Sequence, residues 1–321
     1  MTMATLDPTC NGFLFVGDPH LSSRPVEYRK DDYGRAILGK LKWALAYAKR
    51  ERLQPVILGD LFHYPRDNAN WLIVELLRLF SEAATGSKVA AVFGNHDSKE
   101  NVLGDGDTLT VLVESGHLAL LNHENPWIVN VGGVPVLLGG SSWSEGLPLQ
   151  VARPMGGFAF WILHHNIGFP GYDAKRIDCH EIPGVDVVIN GHIHRRLPDV
   201  VAGSTTWLNP GAIARVARGD ATRGHQPAVL RVDVTPTGWA QSHIEIPCQP
   251  YDAVFHVLSP EEGDNEPGSY FIAGLKELES IRTTGGAALR EFLNQNVGQF
   301  EVPVQEAIWK LTEEVLDNDP G

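Results

Sequence analysis

The sequence predicts an α/β fold, a four-layer α-β-β-α sandwich of two mixed sheets flanked by helices, with a small C-terminal cap-like segment. Three observations lead to this prediction. Short apolar runs in the first half of the chain each end at a glycine that precedes a polar cluster. Helical patterns separate those runs, and the second half of the chain is richer in predicted strands.

The first half of the chain has a βαβαβ pattern. The apolar runs Phe13 to Gly17, Pro55 to Gly59 and Lys88 to Gly94 are typical of buried strands. Arg35 to Leu53 and Ala69 to Ala84 carry apolar residues at helical spacing among good helix-forming residues. This alternation predicts a largely parallel sheet with right-handed crossovers.

The second half of the chain begins with a hairpin pattern. Trp127 to Val131 and Val134 to Leu138 flank Gly132-Gly133, and a glycine pair between two apolar runs favours a tight turn. Further strands are predicted at Ala159 to Leu163, Val185 to Asn190, Thr205 to Leu208, Ala228 to Val234 and His243 to Ile246. A second sheet packed on the first, with helices outside, accommodates this order.

The character of the chain changes after Pro247. Ser259 to Ser269 is predicted to be an acidic loop, and Gly286 to Asn294 and Val304 to Leu316 are predicted to be helices. These features predict a main domain over residues 1–247 and an acidic cap or partner-binding segment over residues 248–321.

Charge is distributed unevenly along the 321 residues. The formal net charge is −13, and residues 241–321 hold 15 acidic against four basic residues, which leaves 24 against 22 for residues 1–240. The acidity therefore belongs to the C-terminal quarter. The nearly neutral remainder neither requires nor excludes a polyanionic substrate, because local fields decide binding.

Two features favour a reducing, cytoplasmic setting. Residues 1–11 lack the basic and apolar stretches of a secretory signal, and no apolar run approaches the roughly 18 residues that span a bilayer. The cysteines, Cys10, Cys179 and Cys248, are widely spaced and form no CxxC pair. Free thiols are therefore expected instead of disulfides or a thiolate metal site.

Polar clusters follow the predicted strands. In chain order they are Asp18-Pro19-His20, Gly59-Asp60, Gly94-Asn95-His96-Asp97, His164-His165 and Gly191-His192-Ile193-His194. Parallel strands bring their C-terminal ends to one edge of a sheet, so these groups are expected to converge. Carboxylate, imidazole and amide groups without a thiolate indicate a borderline-hard metal site. Each pair alone is more often a turn or surface feature, but the ordered series indicates a function.

The series DPH, GD, GNHD, HH and GHIH resembles the signature of calcineurin-like metallophosphoesterases over Phe13 to Arg215. The resemblance implies a catalytic domain over residues 1–247 that holds two divalent ions. One ion would be bound by Asp18, His20 and His194, the other by Asn95, His164 and His192, and Asp60 would bridge them. His165 is the alternative to His164. Manganese is favoured, with iron, zinc, nickel and cobalt as alternatives.

The resemblance also implies the catalytic chemistry. Two such ions lower the pKa of a shared water and so supply a bridging hydroxide for in-line attack. His96 is similar to the family's non-ligand histidine, which donates a proton or a hydrogen bond to the leaving group. Asp97 is expected to orient His96 and to favour its protonated form. The alternative is that His96 is a further ligand or a structural residue.

A narrower resemblance is to SbcD-type DNA-repair nucleases, which partner with coiled-coil ATPases. Gly59 to His63 (GDLFH) and Asn209 to Arg215 (NPGAIAR) are similar to segments of those nucleases. Two departures are Ala212, where serine is usual, and His165-Asn166, which replace the usual partner of the metal histidine. The candidate substrate-binding residues are His63, Arg195, Arg196 and Arg215. His63 belongs to the G-D-L-F-H segment, and arginine suits contacts with phosphate.

The favoured function is a metal-dependent phosphodiesterase that acts on DNA as an exo- or endonuclease in DNA repair. The alternative is a phosphodiesterase or phosphatase for a small molecule or nucleotide, and a non-catalytic scaffold of the same fold is a third hypothesis. DNA is the expected partner, and no membrane partner is expected. The acidic segment 248–321 is expected to contact protein, such as an SbcC-like ATPase, because its charge repels a DNA backbone.

Overall fold

The computed structural model describes residues 10–26, 28–83, 88–124, 126–172, 177–216, 218 and 220–256, and, further along the chain, 293, 304–305, 307–310 and 312. The chain divides into two compact units, Met1–His256 and Val257–Gly321. The predicted acidic loop lies outside the described residues, as does all but residue 293 of the first predicted C-terminal helix. The described residues within 304–316 are helical. The functional division at residue 247 stays a prediction.

Strands and helices alternate in the first half of the chain, and strands dominate afterwards. In chain order the elements are β1 (Gly12–Val16), α1 (Tyr33–Glu51), β2 (Leu53–Ile57), α2 (Asn70–Ala83), β3 (Val89–Ala91), α3 (Thr108–Glu114), β4 (Leu118–Leu120), β5 (Trp127–Val131), β6 (Val134–Ser141), β7 (Phe158–Leu163), β8 (Ile167–Gly168), β9 (Ile177–Asp178), β10 (Val187–Asn190), β11 (Val200–Ala202), β12 (Thr205–Leu208), α4 (Asp220–Arg223), β13 (Ala228–Thr235), β14 (Gly238–Glu245) and α5 (Tyr251–Val254).

The strands form two mixed six-stranded sheets and a two-stranded ribbon of β8 and β9. The first sheet has the order β14-β13-β1-β2-β3-β4, in which β1 to β4 are parallel and β13 is antiparallel to both neighbours. The second has the order β11-β12-β10-β7-β6-β5, with a parallel centre and antiparallel edges. The predicted α/β sandwich of two mixed sheets is confirmed, as is the β5–β6 hairpin.

Alternation along β1 separates the two faces of the first sheet. Phe13 and Phe15 pack into the interior between the sheets, whereas Leu14 and Val16 pack with the apolar residues of α1 and α2. All four side chains are fully buried. A strand covered on both faces needs apolar residues at every position, which is why the sequence shows a continuous run.

The outer face of the second sheet is covered differently. Its apolar cluster joins Trp161 of β7 to Ile167 and Ile182 in the connection that follows. Among the described residues, loops and the β8–β9 ribbon cover this face, so few helices flank the sandwich. Pro170-Gly171 and Pro183-Gly184 interrupt the connection between β7 and β10 and oppose a long helix there.

Helix α1 has clear causes in the sequence. Asp32 caps its N-terminus by accepting a hydrogen bond from the backbone N–H of Arg35 at 3.1 Å. The helix ends at Glu51, and the next residue, Arg52, has a left-handed φ of 57°. Ile37 and Leu41 belong to the stripe that packs on the first sheet. No described helix is both long and apolar enough to cross a membrane.

A buried lysine ties α1 to the connection after β12. Nζ of Lys40 donates to the backbone carbonyl of Ile213 at 2.9 Å. The backbone N–H of Ile213 donates in turn to the carbonyl of Gly17 at 2.8 Å, so Lys40 supports the loop that follows β1. Burial lowers the pKa of Lys40 to about 8 from an ordinary value of 10.5.

This shift makes folding stability depend on pH. Between the folded pKa of about 8 and the unfolded value of 10.5, the unfolded state binds more protons at Lys40, so the free energy of unfolding rises with pH. The slope attributable to one group is at most about 1.4 kcal/mol per pH unit. The free energy of unfolding of wild type and of Lys40→Met is measured in urea at about pH 7 and about pH 10. Between these two pH values it should rise more for wild type than for the variant. A difference between the two proteins that does not change with pH would contradict the assignment.

Candidate metal centre

The predicted ligands lie just beyond the C-terminal ends of strands. Asp18 and His20 follow β1, Asp60 follows β2, Asn95 follows β3, His164 follows β7, and His192 and His194 follow β10. β1, β2 and β3 are mutually parallel in the first sheet, and β7 and β10 are parallel in the second. Each sheet therefore brings its candidate ligands to one of its own edges, as the topology of parallel strands requires.

Four of these residues have strained backbone conformations. The φ angles are 38° at Asp18, 46° at His20, 46° at Asp60 and 70° at His192. Residues other than glycine rarely adopt left-handed conformations, and such strain persists only where the surroundings enforce it. Its concentration at the predicted ligands supports a functional role for this edge of the sheets.

Two motif glycines make room for the centre. A Cβ atom on Gly94 would collide with Oδ1 of Asp60, and a Cβ atom on Gly59 would collide with Nδ1 of His164. Gly59 also has a φ of 94°, which disfavours any side chain. The glycines of the G-D and G-N-H-D motifs therefore let the backbone approach candidate ligands that come from other strands.

The first cluster gathers Asp18, His20, Asp60 and His194, which can bring one ligand atom each within 4.8 Å of one another. Nε2 of His20 lies 2.8 Å from Nε2 of His194 and 3.5 Å from Oδ2 of Asp60. Oδ2 of Asp18 is buried without a hydrogen-bond partner among the described residues. Two facing imidazole nitrogens beside carboxylate oxygens fit a divalent cation.

The second cluster gathers Asp60, His164 and His192. Nδ1 of His164 donates to the carbonyl of Leu58 at 2.7 Å, which leaves Nε2 facing the cluster, 3.2 Å from Oδ2 of Asp60. Oδ1 of Asn95 lies 2.9 Å from Nδ1 of His192. The two clusters share Asp60. The structure thus brings together all seven predicted ligands, whose role in binding metal stays a prediction.

His165, the alternative to His164, is engaged elsewhere. Its Nδ1 lies 2.6 Å from the carbonyl of His164, and its Nε2 lies 2.7 Å from the carbonyl of Glu145. Both ring nitrogens therefore face backbone oxygens, and the ring belongs to neither cluster. Of the doublet, His164 is the histidine that the structure places in the centre.

The charge of Asp60 dominates the electrostatics of the centre. Burial has the largest single effect and opposes this charge, but His164, His96 and His20 together hold the pKa of Asp60 well below its usual range. Burial likewise has the largest single effect on His164 and lowers its pKa, but Asp60, Asp18 and the Leu58 carbonyl together raise the pKa of His164 to about 9. Burial also raises the pKa of Asp18 to about 7. Cations that bind here must displace these protons, because ligands bind metal in their deprotonated forms.

Asp97 and His96 do not make the expected side-chain contact. Oδ2 of Asp97 accepts hydrogen bonds from the backbone N–H groups of Gly94 at 2.9 Å and Leu61 at 3.3 Å, and Oδ1 accepts one from Phe62 at 3.0 Å. Asp97 therefore joins the loops that follow β2 and β3, because these three donors occupy its buried carboxylate. The His96 ring is oriented by a different group, since its Nδ1 lies 3.0 Å from the carbonyl of His63.

His63 lies beside the first cluster, and with His20 and His96 it forms a third group of ligand-type nitrogens. Its ring is 5.6 Å from that of His20 and nearly parallel to that of His96, with centroids 5.5 Å apart and planes at 15°. Nδ1 of His63 has no hydrogen-bond partner among the described residues. Burial lowers the pKa of His63 to about 4, so the ring is neutral at physiological pH. Its predicted contact with substrate stays a prediction.

Arg195 and Arg196 are exposed and follow His194 directly. The guanidinium of Arg195 donates to the carbonyl of Gly171. One such contact occupies only part of a guanidinium, which has five N–H donors. The predicted contact of both arginines with substrate stays a prediction.

The structure gives Arg215 contacts within the protein, and its predicted contact with substrate stays a prediction. The residue is buried, and its guanidinium donates to the carbonyls of His225 at 2.9 Å and Gln249 at 3.0 Å. These contacts engage two of its five N–H donors, and the residue is only 7% exposed. The N-P-G-A-I-A-R pattern could not reveal this, because both partners lie far along the chain.

Two asparagines that the sequence analysis did not select support the G-H-I-H loop. Nδ2 of Asn209 donates to the carbonyls of Ile193 at 2.9 Å and Arg195 at 2.8 Å. Nδ2 of Asn190 donates to the carbonyl of Gly191 at 2.6 Å and contacts Oδ1 of Asn209 at 3.2 Å. In the sequence, Asn209 stands out only as the start of the N-P-G-A-I-A-R segment, which carries no sign of the loop that this side chain holds.

The fold and the site together define a class of α/β proteins in which side chains suited to bind metal ions lie together at the ends of parallel strands. Residues 12–196 match the family model described as calcineurin-like phosphoesterase. The match spans more than half of the 321 residues, so the chain belongs to the calcineurin-like phosphoesterase family, whose members are metal-dependent. A comparison with curated proteins gave no significant match.

Several solved structures are similar to the chain. A hypothetical protein from Thermus thermophilus is 14% identical with a TM-score of 0.39, covering 73% of this chain and 99% of that one. A conserved uncharacterized protein from Streptococcus pneumoniae, described as a predicted phosphoesterase, is 11% identical with a TM-score of 0.29, covering 73% and 98%. Vacuolar Protein Sorting 29 from Cryptosporidium parvum is 13% identical with a TM-score of 0.32, covering 74% and 98%. At these scores the three likenesses add nothing to the family assignment.

The shared carboxylate yields a direct prediction. Asp60→Asn should weaken the binding of both ions, because it removes the one negative charge that the two clusters have in common. Manganese titration of the metal-free protein by calorimetry measures both affinities. Asp67→Asn is the matched control, since that carboxylate is 80% exposed and pairs only with Arg24 among the described residues. Two ions bound by Asp60→Asn with wild-type affinities would refute the bridging role.

Proposed function

We propose that the protein is a two-metal phosphodiesterase. The observation that carries the proposal is that two clusters of ligand-type atoms share the Asp60 carboxylate. When bound, two divalent ions polarise a phosphoryl oxygen and activate a water for in-line displacement. Manganese is the proposed metal, because carboxylate, amide and imidazole ligands suit it and no thiolate selects a softer ion. A scaffold without catalysis would not need a complete set of ligand-type side chains.

His96 is the proposed proton donor to the leaving group. The His63 carbonyl holds Nδ1 of His96, so Nε2 is the ring nitrogen left for substrate. The His96 ring also lies 4.8 Å from that of His20, which places it beside the first cluster. Asp97 acts indirectly, since it fixes the loop that carries His96 and does not contact the His96 ring.

Removing the His96 ring separates catalysis from metal binding. His96→Ala should keep both ions and slow the hydrolysis of bis-p-nitrophenyl phosphate by on the order of 10²–10⁴, the usual size of general-acid help. His117→Ala, outside both clusters, is the control and should match wild type. Loss of an ion together with activity would instead make His96 a ligand. No metal-dependent hydrolysis by wild type would refute the proposed function itself.

DNA is the proposed substrate, on the strength of the G-D-L-F-H resemblance and of the exposed Arg195 and Arg196, which directly follow His194. A small phosphodiester or nucleotide is the second candidate, and a specific observation favours it. Arg215 is buried, while Arg218 packs over Tyr28 and Arg223 pairs with Asp252. These three guanidiniums are thus engaged within the protein, which favours a small substrate over an extended phosphate backbone.

Charge reversal at the exposed pair tests DNA as substrate. Arg195→Glu with Arg196→Glu should weaken DNA binding and lower the slope of its salt dependence by roughly one for each lost phosphate contact. The control, Lys49→Glu with Arg50→Glu, makes the same change of charge near the end of α1, which leads into the opposite end of β2. Labelled DNA is titrated at several salt concentrations in a His96→Ala background.

If the two double variants weaken DNA binding equally, Arg195 and Arg196 act only through the net charge of the protein and make no specific contact with phosphate. If wild type cleaves bis-p-nitrophenyl phosphate but neither binds nor cleaves DNA, the second candidate is correct.

Segment 248–321 is proposed to bind protein, such as an SbcC-like ATPase, since residues 241–321 hold 15 acidic and only four basic residues.

A further inference from the structure

Asn166 makes a contact that no motif accounts for. Oδ1 of Asn166 lies 2.9 Å from Nε2 of His192, the first histidine of the G-H-I-H sequence. The opposite ring nitrogen, Nδ1, lies 2.9 Å from Oδ1 of Asn95. His192 is also held through its backbone, whose N–H donates to Oδ1 of Asp18 at 2.8 Å. Both ring nitrogens therefore face an amide oxygen.

A neutral imidazole carries one proton and can donate to only one of these oxygens. The hydroxyl of Tyr172 donates to Oδ1 of Asn166 at 2.6 Å, and an amide oxygen only accepts hydrogen bonds. With the proton on Nε2 of His192, Asn166 receives two donors. Nδ1 of His192 and Oδ1 of Asn95 then face each other as two lone pairs, which is unfavourable unless a cation lies beside both.

We propose that Asn166, held by Tyr172, is a positioning residue that fixes His192 in the Nε2–H tautomer and so presents Nδ1 to the second metal ion. This inference rests on the proposed two-metal function. Asn166 follows the candidate ligand His164 by two residues, so one short segment supplies a ligand of this ion and the group that orients another.

The segment that carries Asn166 is itself anchored. The carbonyl of Asn166 accepts a hydrogen bond from the backbone N–H of Ile177 in β9 at 3.2 Å. Tyr172 packs against the apolar cluster on the outer face of the second sheet. The orientation of His192 is thus coupled to packed structure, which is the usual way in which an outer partner holds a metal-binding histidine.

Three substitutions separate positioning from packing. Asn166→Leu removes the acceptor at similar volume, Asn166→Asp keeps an acceptor, and Tyr172→Phe removes only the hydroxyl. Manganese is titrated by calorimetry into the full-length metal-free protein, with Tyr64→Phe as the control for loss of a tyrosine hydroxyl. We expect Asn166→Leu to weaken one of the two sites by roughly 10- to 100-fold, Asn166→Asp to restore it, and Tyr172→Phe to weaken it less than Asn166→Leu does.

Long-range ¹H–¹⁵N spectra of the zinc-loaded protein report the coordinating nitrogen of His192 directly. Coordination through Nδ1 in wild type supports the proposal, and coordination through Nε2 overturns it. Equal weakening of both sites by Asn166→Leu, or failure of Asn166→Asp to restore binding, also overturns it. If wild type binds two ions and Asn166→Leu changes neither affinity, this inference alone fails, whereas a wild type that binds no metal refutes the proposed function.

Discussion

The architecture of the centre depends on one buried carboxylate, that of Asp60. Its Oδ1 accepts the backbone N–H of His96 at 2.9 Å, and its Oδ2 faces Nε2 of His164 at 3.2 Å and Nε2 of His20 at 3.5 Å. A carboxylate that is 1% exposed is costly unless positive charge and hydrogen bonds compensate it. The compensation must come from groups on both sheets, because His20 follows a strand of the first and His164 a strand of the second. The site therefore links the two halves of the sandwich.

Residues outside the two clusters of candidate ligands hold the surrounding loops in place. The Asp97 carboxylate binds three backbone N–H groups, and Asn190 and Asn209 bind the carbonyls of the G-H-I-H loop. Left-handed conformations at candidate ligands such as Asp60 and His192 are strained, and these backbone hydrogen bonds help to offset that strain. The candidate ligands and the residues that hold their loops are thus different residues. The loop-holding residues can be overlooked in a sequence although the site depends on them.

The sequence predicted the parts of the structure that leave a local signal. The βαβαβ unit was recognisable because both faces of its strands are buried and α1 has an apolar stripe. The candidate ligands could be grouped because strand ends converge. By contrast, β8 and β9 have two residues each, too few for a period to show. The contacts of Asp97, Arg215 and Asn166 depend on partners brought together only by folding, and no spacing rule reveals those partners.

The central claim is that Asp60 lies between two ions. Anomalous diffraction from crystals soaked in manganese, recorded at the manganese edge, tests it most directly. The account predicts two peaks roughly 3.5–4 Å apart. One should lie beside Asp18, His20 and His194 and the other beside Asn95, His164 and His192, with Asp60 contacting both. A single peak, or two peaks of which only one contacts Asp60, would contradict it.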